Sequence, residues 1–164
     1  MADTLKGQLT KYIDEAIAME QDVLRMLDSM IGTTDDDEIR DELRQHKLDT
    51  ERQSDRLTRR LEAHGASPSA VREAGGTLGA LVKGAADVVR SEQVARNARD
   101  AYATEHLEVA AYQLLERVAE RAGDAETAEV ARENRAEEEQ MAKRIEARWD
   151  RFAELALQEQ GLSV

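Results

Sequence analysis

The chain has 164 residues, a length that suits one domain with a single sizeable core and is short for two. We therefore predict one domain over residues 1–164. Aromatic residues make up 3%, proline occurs once and charged residues reach 35%, a composition untypical of sheet proteins that favours helix throughout. The formal net charge of −12 repels phosphate backbones and anionic lipid surfaces, so we expect neither nucleic acid nor membrane as a partner.

The absence of cysteine excludes disulfides, thiolate metal sites and a cysteine nucleophile. Imidazole and carboxylate groups therefore remain as the available metal ligands. The first residues lack the apolar core of a signal peptide, and nowhere do about 18 consecutive apolar residues occur. We expect a cytoplasmic protein.

The first half of the sequence predicts one helical hairpin. Apolar residues recur at helical spacing from about Thr4 to Ile31, which indicates the first helix. The polar run 32–37 ends that helix and begins a second, for which Thr34 is the predicted N-cap. The second helix extends to about His64, where Gly65 supplies a left-handed C-cap.

The second half predicts another hairpin, reached through a long connection. Residues 66–90 form this predicted crossover, with a short apolar helix at about 77–89. The third helix covers about Ser91 to Ala122, and the fourth starts near Ala125 and is expected to continue to Gln160. Two antiparallel helical hairpins joined by a long crossover are typical of the ferritin-like four-helix bundle, an all-α fold.

Carboxylates on the apolar stripes of these helices need an explanation. A buried carboxylate is costly unless it is paired, hydrogen bonded or bound to a metal. Glu20 falls on the same line as Ile13, Ile17 and Leu24 in the first helix. Taken alone, Glu20 fits either a core position or the edge of the stripe, with its carboxylate reaching water.

The other three helices repeat this pattern. In the second helix His46 lies on the stripe, and the next inward position is Asp49 or Thr50. The third helix offers Glu105 on its inner face, followed by Glu108 or Val109, and the fourth offers Glu138 as the most inward acid of 137–139. Each of these residues alone fits a solvated or internally satisfied side chain. Tyr112, one turn beyond Glu108, is either a hydrogen-bond donor beside these acids or a buried structural tyrosine.

The levels of these residues in the bundle favour a shared site. In an antiparallel hairpin, residues equally distant from the turn lie at the same height, at about 1.5 Å per residue. Glu20 and Asp49 are symmetric about the loop near Thr34, and Glu108 and Glu138 are symmetric about Gly123. Such a set approximates the ligands of carboxylate-bridged dimetal bundles, and we predict two iron or manganese ions, with zinc also possible.

The arrangement departs from the usual motif of these bundles. That motif is Glu-x-x-His on two of the four helices. Here His46 precedes its acid, the acid is Asp49, and the third helix has a second glutamate where a histidine is expected.

Four segments carry a family resemblance: Ala18-Met19-Glu20-Gln21, His46 to Gln53, Ala103 to Tyr112, and Glu138 to Ala142. With these segments the sequence resembles the YciE/YciF family of ferritin-like bacterial stress proteins over about Leu9 to Ile145. The resemblance implies that Glu20, His46, Asp49, Glu105, Glu108 and Glu138 form a dimetal site, although the family commonly has Glu at the position of Asp49. It also implies a stress-associated homodimer.

Two functions are compatible with these patterns. The first is a dimetal-carboxylate protein that reacts with oxygen or peroxide, for example by oxidising Fe(II) protectively. The second is a structural or interaction protein with a metal-free polar core, held by internal hydrogen bonds and by arginine pairing. The candidate arginines for such pairing are Arg56, Arg60 and Arg135.

The length of the fourth helix supports the expected homodimer. Continued to Gln160, it would exceed the first helix by about 12 Å. The excess carries Trp149 and Phe152, and large apolar residues beyond a bundle form a patch that monomers usually avoid. This end is expected either to dock on a second subunit or to fold back over the crossover.

Overall fold

A computed structural model of the chain describes residues 2–68 and 93–163. Long helices make up most of both ranges. In chain order these helices are α1 (Ala2–Thr33), α2 (Asp37–Ala63), α3 (Gln93–Ala122), α4 (Ala125–Glu146) and α5 (Trp149–Glu159). The predicted crossover helix lies outside the described residues. Within the described ranges, no helix is long and apolar enough to cross a bilayer.

The first four helices form the predicted bundle of two hairpins. α1 packs against α2 and α3 packs against α4, and the hairpins meet along the α1–α3 and α2–α4 seams. Leucine, isoleucine, methionine and alanine side chains from all four helices form a shared core, because each helix turns one apolar stripe inward. This all-α architecture confirms the predicted four-helix bundle.

The helix ends show which sequence signals the fold uses. Gly65 and Gly123 adopt φ values of 76° and 73°, as expected for left-handed residues that close α2 and α3. The N-cap of α2 is Asp36, whose carboxylate accepts a hydrogen bond from Ile39 N at 3.1 Å. The prediction of Thr34 as this cap was wrong, because its hydroxyl donates to Met30 O at 2.7 Å and so closes α1 instead.

Polar side chains join the two hairpins at one end of the bundle. Asp124, the N-cap of α4, accepts a hydrogen bond from Thr127 N at 3.0 Å. The same carboxylate pairs with Arg60 at 2.9 Å and lies 2.7 Å from His64 Nε2, both at the end of α2. Burial opposes its ionisation, but the hydrogen bonds from Thr127, His64 and Arg60 outweigh burial and lower the pKa of Asp124. One ionised carboxylate thus caps α4 and ties it to α2.

The predicted fourth helix is in fact two helices. α4 ends at Glu146, and the chain bends at Ala147 and Arg148 before α5 begins. The bend turns α5 onto α3, where Phe152 is buried. Arg148 reaches Glu42 at 2.6 Å and Glu38 at 3.1 Å on α2. The prediction of one helix to Gln160 was wrong. The apolar face of α5 packs against the bundle and Arg148 forms these ion pairs, and both interactions favour the bend. No Gly or Pro marks it in the sequence.

Candidate metal centre

Five of the six predicted ligands converge in the middle of the bundle. Each is at most 3% exposed, and every helix of the bundle supplies at least one. We call them the core cluster: Glu20 on α1, His46 on α2, Glu105 and Glu108 on α3, and Glu138 on α4.

Helix geometry explains why these side chains meet. Glu105 and Glu108 are three residues apart, so both project from one face of α3 about one turn apart. Glu138 is fully buried among the acids 137–139, which agrees with the sequence prediction for this run. Its neighbours Glu137 and Glu139 turn outward, with side chains that are 31% and 44% exposed.

The core cluster contains two groups that have the geometry of metal sites. His46, Glu105 and Glu138 each offer one ligand atom, and these three atoms lie within 4.8 Å of one another. Glu20, Glu108 and Glu138 form a second group within the same limit. Glu138 belongs to both groups, the position that a bridging carboxylate occupies between two ions.

Most polar atoms of the core cluster have no hydrogen-bond partner. Both carboxylate oxygens of Glu105, Glu108 and Glu138 are buried without one. The same is true of Glu20 Oε2 and His46 Nε2. Within the described ranges, no lysine or arginine forms an ion pair with these glutamates. Native cores leave few buried polar atoms unpaired, so eight in one place indicate a missing partner.

His46 and Glu105 form the closest approach of unlike charges in the core cluster. His46 Nε2 lies 3.1 Å from Glu105 Oε1, although the two groups are not aligned for a hydrogen bond. Burial disfavours the imidazolium, but the negative charges of Glu105 and Glu20 outweigh burial and raise the pKa of His46. A protonated His46 is the one cationic side chain that the core cluster itself can supply.

Burial and mutual repulsion hold protons on Glu20, Glu108 and Glu138. Burial is the largest cause for each, and it raises the pKa of Glu20 to about 8 and that of Glu138 to about 11. The charge of Glu105 adds to both increases, while the amide of Gln53 acts against the increase at Glu138. Burial and the charge of Glu138 also raise the pKa of Glu108 well above its ordinary value. Without a cation, the core cluster is therefore partly protonated near neutral pH.

A hydrogen-bonded network supports one side of the core cluster. The buried hydroxyl of Tyr112 donates to Glu20 Oε1, and it accepts a hydrogen bond from Asn134 Nδ2 at 3.1 Å. Asn134 Oδ1 accepts in turn from Arg56 at 2.9 Å. Tyr112 thus fits both interpretations of the sequence, since it is a buried core residue and also a donor beside the cluster.

Asp49 lies outside the core cluster, contrary to the sequence prediction. Its partly exposed carboxylate is hydrogen bonded by Gln45 and pairs with Arg52 on the outer face of α2. The buried stripe passes instead through His46, Thr50 and Gln53. Because each residue advances about 100° around a helix, position 49 is rotated off this stripe, whereas position 50 lies near its centre.

The arginines that were candidates for pairing with the polar core all pair elsewhere. Arg60 binds Asp124 at the end of the bundle, and Arg135 binds Glu116 at 2.5 Å. Arg56 binds Glu137, with its two terminal nitrogens 2.8 and 2.9 Å from the carboxylate oxygens. None of the three arginines neutralises the core cluster.

Sequence analysis did not identify Gln53 as a functional residue. Its side chain is completely buried, its Nε2 donates to Glu137 Oε2 at 3.0 Å, and its Oε1 has no hydrogen-bond partner. A buried amide on the stripe of α2, three residues after Thr50, was the available signal.

The residues present fit a pair of hard or borderline divalent ions. Four glutamates and one imidazole provide oxygen and nitrogen donors, which suit iron and manganese and also accept zinc. The unpaired atoms of the core cluster would gain a partner, and the raised pKa values of its glutamates would fall on metal binding because a cation favours the ionised carboxylate.

Comparisons with known proteins identify the family and the fold of this chain. A family described as "Domain of unknown function (DUF892)" matches residues 4–157. A crystal structure of a protein from Xanthomonas campestris pv. campestris shares 25% identity and a TM-score of 0.80, and the match covers 97% of this chain and 99% of that one.

Two further solved structures define the fold. The Escherichia coli stress protein YciF is 19% identical with a TM-score of 0.71, covering 97% of this chain and 98% of its own. Desulfovibrio desulfuricans bacterioferritin, described with a diiron site in different catalytic states, is 19% identical with a TM-score of 0.78, covering 95% and 86%. These two similarities confirm the ferritin-like fold. Together with the family match over residues 4–157, they agree with the predicted resemblance to the YciE/YciF family.

Proposed function

We propose that this chain, which belongs to the DUF892 family of domains of unknown function, binds two iron or manganese ions in its core cluster and uses them in stress protection. The observation that carries the proposal is the set of eight buried polar atoms without hydrogen-bond partners. A pair of divalent cations would satisfy these atoms together. The fold shared with a bacterioferritin and with a stress protein gives independent support.

Different residues of the core cluster would hold each of the two ions. Glu138 would bridge them, Glu20 and Glu108 would hold one ion, and His46 with Glu105 would hold the other. Iron or manganese would supply one-electron chemistry toward oxygen or peroxide, with Fe(II) as one candidate substrate. Tyr112 would fix the orientation of Glu20, and the surrounding aliphatic side chains would limit access of water.

Metal analysis of protein purified without chelator tests this proposal. We expect about two metal ions per chain, either as purified or after anaerobic addition of Fe(II) or Mn(II). Glu108→Gln, which keeps the shape of the side chain and removes its charge, should bind fewer ions. Glu139→Gln on the outer face of α4 is the matched control and should bind as many ions as the wild type. No bound metal under any of these conditions would overturn the proposal.

A structural role with a metal-free core is the second candidate. The observation that favours it is the raised pKa of Glu138, about 11, which keeps that carboxyl neutral at physiological pH. A partly protonated core cluster can persist without a cation, because neutral carboxyl groups repel one another less. Wild-type stability that is the same with and without added metal would favour this role.

We also propose that the chain forms a homodimer. Support comes from large apolar side chains left exposed: Trp149 and Leu157 on α5 are each 38% exposed, and Leu162 beyond it is 56% exposed. Phe152 is buried within its own subunit, so it is no longer a candidate for the interface. Sedimentation at several concentrations tests the proposal.

The dimer experiment uses the exposed residues of α5. Trp149→Ser combined with Leu157→Ser should weaken the dimer, because apolar anchors carry much of the binding energy at interfaces. Leu48→Ser, at a side chain that is 50% exposed on α2, is the control. A wild-type monomer throughout the micromolar range would contradict the dimer. If Leu48→Ser weakened the dimer as much as the double variant, the interface would not be specific to α5.

A further inference from the structure

The core cluster is buried, so a cation from solvent has to pass between two helices to reach it. Glu137 stands at one such boundary, the seam between α2 and α4, and its side chain is 31% exposed. It directly precedes Glu138, which belongs to both groups of the core cluster. A solvent-accessible carboxylate is thus adjacent in sequence to the acid that both groups share.

Gln53 lies against the segment of α4 that carries these two acids. Its Nε2 donates to Glu137 Oε2 at 3.0 Å, and its backbone oxygen accepts a hydrogen bond at 3.5 Å from Asn134 Nδ2, one turn before Glu138. Gln53 is completely buried, yet its Oε1 has no hydrogen-bond partner. An unpaired amide oxygen beside the core cluster is a neutral ligand atom that can hold a cation without trapping it.

Arg56 is the ion-pair partner of Glu137 on this path. Its guanidinium binds both carboxylate oxygens of Glu137, and it also lies 3.0 Å from Glu133. The Glu133 side chain is 51% exposed. Arg56 can therefore release Glu137 to an incoming cation and keep Glu133 as its counter-ion.

We propose that Glu137, Gln53 and Arg56 form the uptake route by which divalent cations pass from solvent to the core cluster. Glu137 captures the cation in place of Arg56, the Gln53 amide oxygen passes it inward, and Glu138 receives it. This inference rests on the proposed function, since it requires that the core cluster binds metal.

A kinetic experiment with Co(II) distinguishes residues that line an uptake route from residues that hold the bound metal. Stopped-flow absorption of the bound Co(II) gives the uptake rate, transfer to a chelator gives the release rate, and calorimetry gives affinity and stoichiometry. Removing a route residue slows uptake and release together and leaves affinity unchanged, because the same path is used in both directions. Removing a ligand weakens affinity and speeds release.

We expect Glu137→Gln to slow both uptake and release about ten-fold, with unchanged stoichiometry, because local charge concentrates cations at the capture step. Arg56→Gln should speed uptake several-fold, since it removes the competing cation. Asp49→Asn and Glu139→Gln are the controls, because they remove partly exposed carboxylates from the same two helices, and neither carboxylate is hydrogen bonded to Gln53. Circular dichroism verifies that each variant is folded.

The outcomes discriminate this route from the proposed function. Wild-type uptake and release rates in Glu137→Gln would overturn the route alone, as would a loss of affinity without slower release. Equal slowing in the two controls would also overturn it. A wild-type protein that binds no Co(II), Fe(II) or Mn(II) at equilibrium would overturn the proposed function, and the route with it.

Discussion

The hydroxyl of Tyr112 donates a hydrogen bond to Glu20 Oε1 across the α1–α3 seam, although burial would otherwise favour a neutral Glu20. The same hydroxyl accepts a hydrogen bond from Asn134 on α4. One oxygen atom thus joins three helices at the level of the core cluster. Its donated hydrogen bond favours the ionised form of Glu20 and so acts against burial.

Tyr112→Phe should destabilise the metal-free protein by about 1–3 kcal/mol, because it leaves buried polar groups of Glu20 and Asn134 without a partner. Chemical denaturation measures this loss. Tyr102→Phe is the control, since its ring packs edge-on against Trp149 and is retained. We expect a change below about 0.5 kcal/mol there. Equal stability of Tyr112→Phe and the wild type would contradict a supporting role for the hydroxyl.

Added Mn(II) or Fe(II) should raise the melting temperature of the wild type. Binding to the folded state alone stabilises by about 2.7 kcal/mol when the free metal is 100 times its dissociation constant. Glu20→Ala and Glu108→Ala should lose most of this increase, whereas Asp49→Ala should keep it because its carboxylate faces outward. Differential scanning fluorimetry with and without chelator makes the measurement. An unchanged increase in both glutamate variants would exclude these residues as ligands.

The stability of the metal-free protein should fall as pH rises from mild acid. The pKa of Glu20 increases on folding from 4.5 to about 8, so the folded state binds more protons than the unfolded state between these values. The stabilisation from this proton is fully present below about pH 4.5 and is lost by about pH 8. Glu138 extends the decrease toward about pH 11.

Urea denaturation of chelated protein between about pH 5 and pH 8 measures this slope. Glu20→Gln should reduce the slope, because the amide does not titrate. Glu116→Gln is the control and should leave the slope unchanged: burial opposes ionisation of Glu116, but hydrogen bonds and charges from Arg132 and Arg135 lower its pKa, so it titrates below this interval. A wild-type stability that stays flat or increases over this interval would argue against a crowded core cluster.

The attachment of α5 should depend on packing more than on ion pairs. Phe152→Ala should lower the free energy of opening of α5 by about 3 kcal/mol, because it leaves a cavity where a buried ring was. Arg151→Ala removes a half-exposed ion pair with Asp36 and should cost less than about 1 kcal/mol. Hydrogen exchange of the α5 amides reports both values. A larger effect of Arg151→Ala would reverse this interpretation.

Periodicity was sufficient to predict the bundle and most of the core cluster. The stripes of α1 and α4 each contain one inward acid, and burial of Glu20 and Glu138 agrees with that pattern. Asp49 was misplaced because positions 49 and 50 differ by only about 100° of rotation, and spacing alone cannot decide which one faces the core.

The sequence patterns could not predict the bend before α5. Helix propensity continues through Ala147 and Arg148, and no Gly or Pro marks a break. The bend depends on contacts of Phe152 and Arg148 with other helices, which are distant in sequence. The role of Gln53 was similarly hidden, because its significance depends on Glu137 and on an oxygen left without a partner.

Among the residues of the core cluster, Glu138 alone belongs to both groups. If two ions bind as proposed, their binding cannot be independent. The first ion would displace the proton that Glu138 holds, and the second ion would meet a carboxylate already ionised. The proton of Glu138 should therefore leave with the first ion, which favours cooperative occupancy. Under this arrangement a singly loaded protein would be less populated than two independent sites predict.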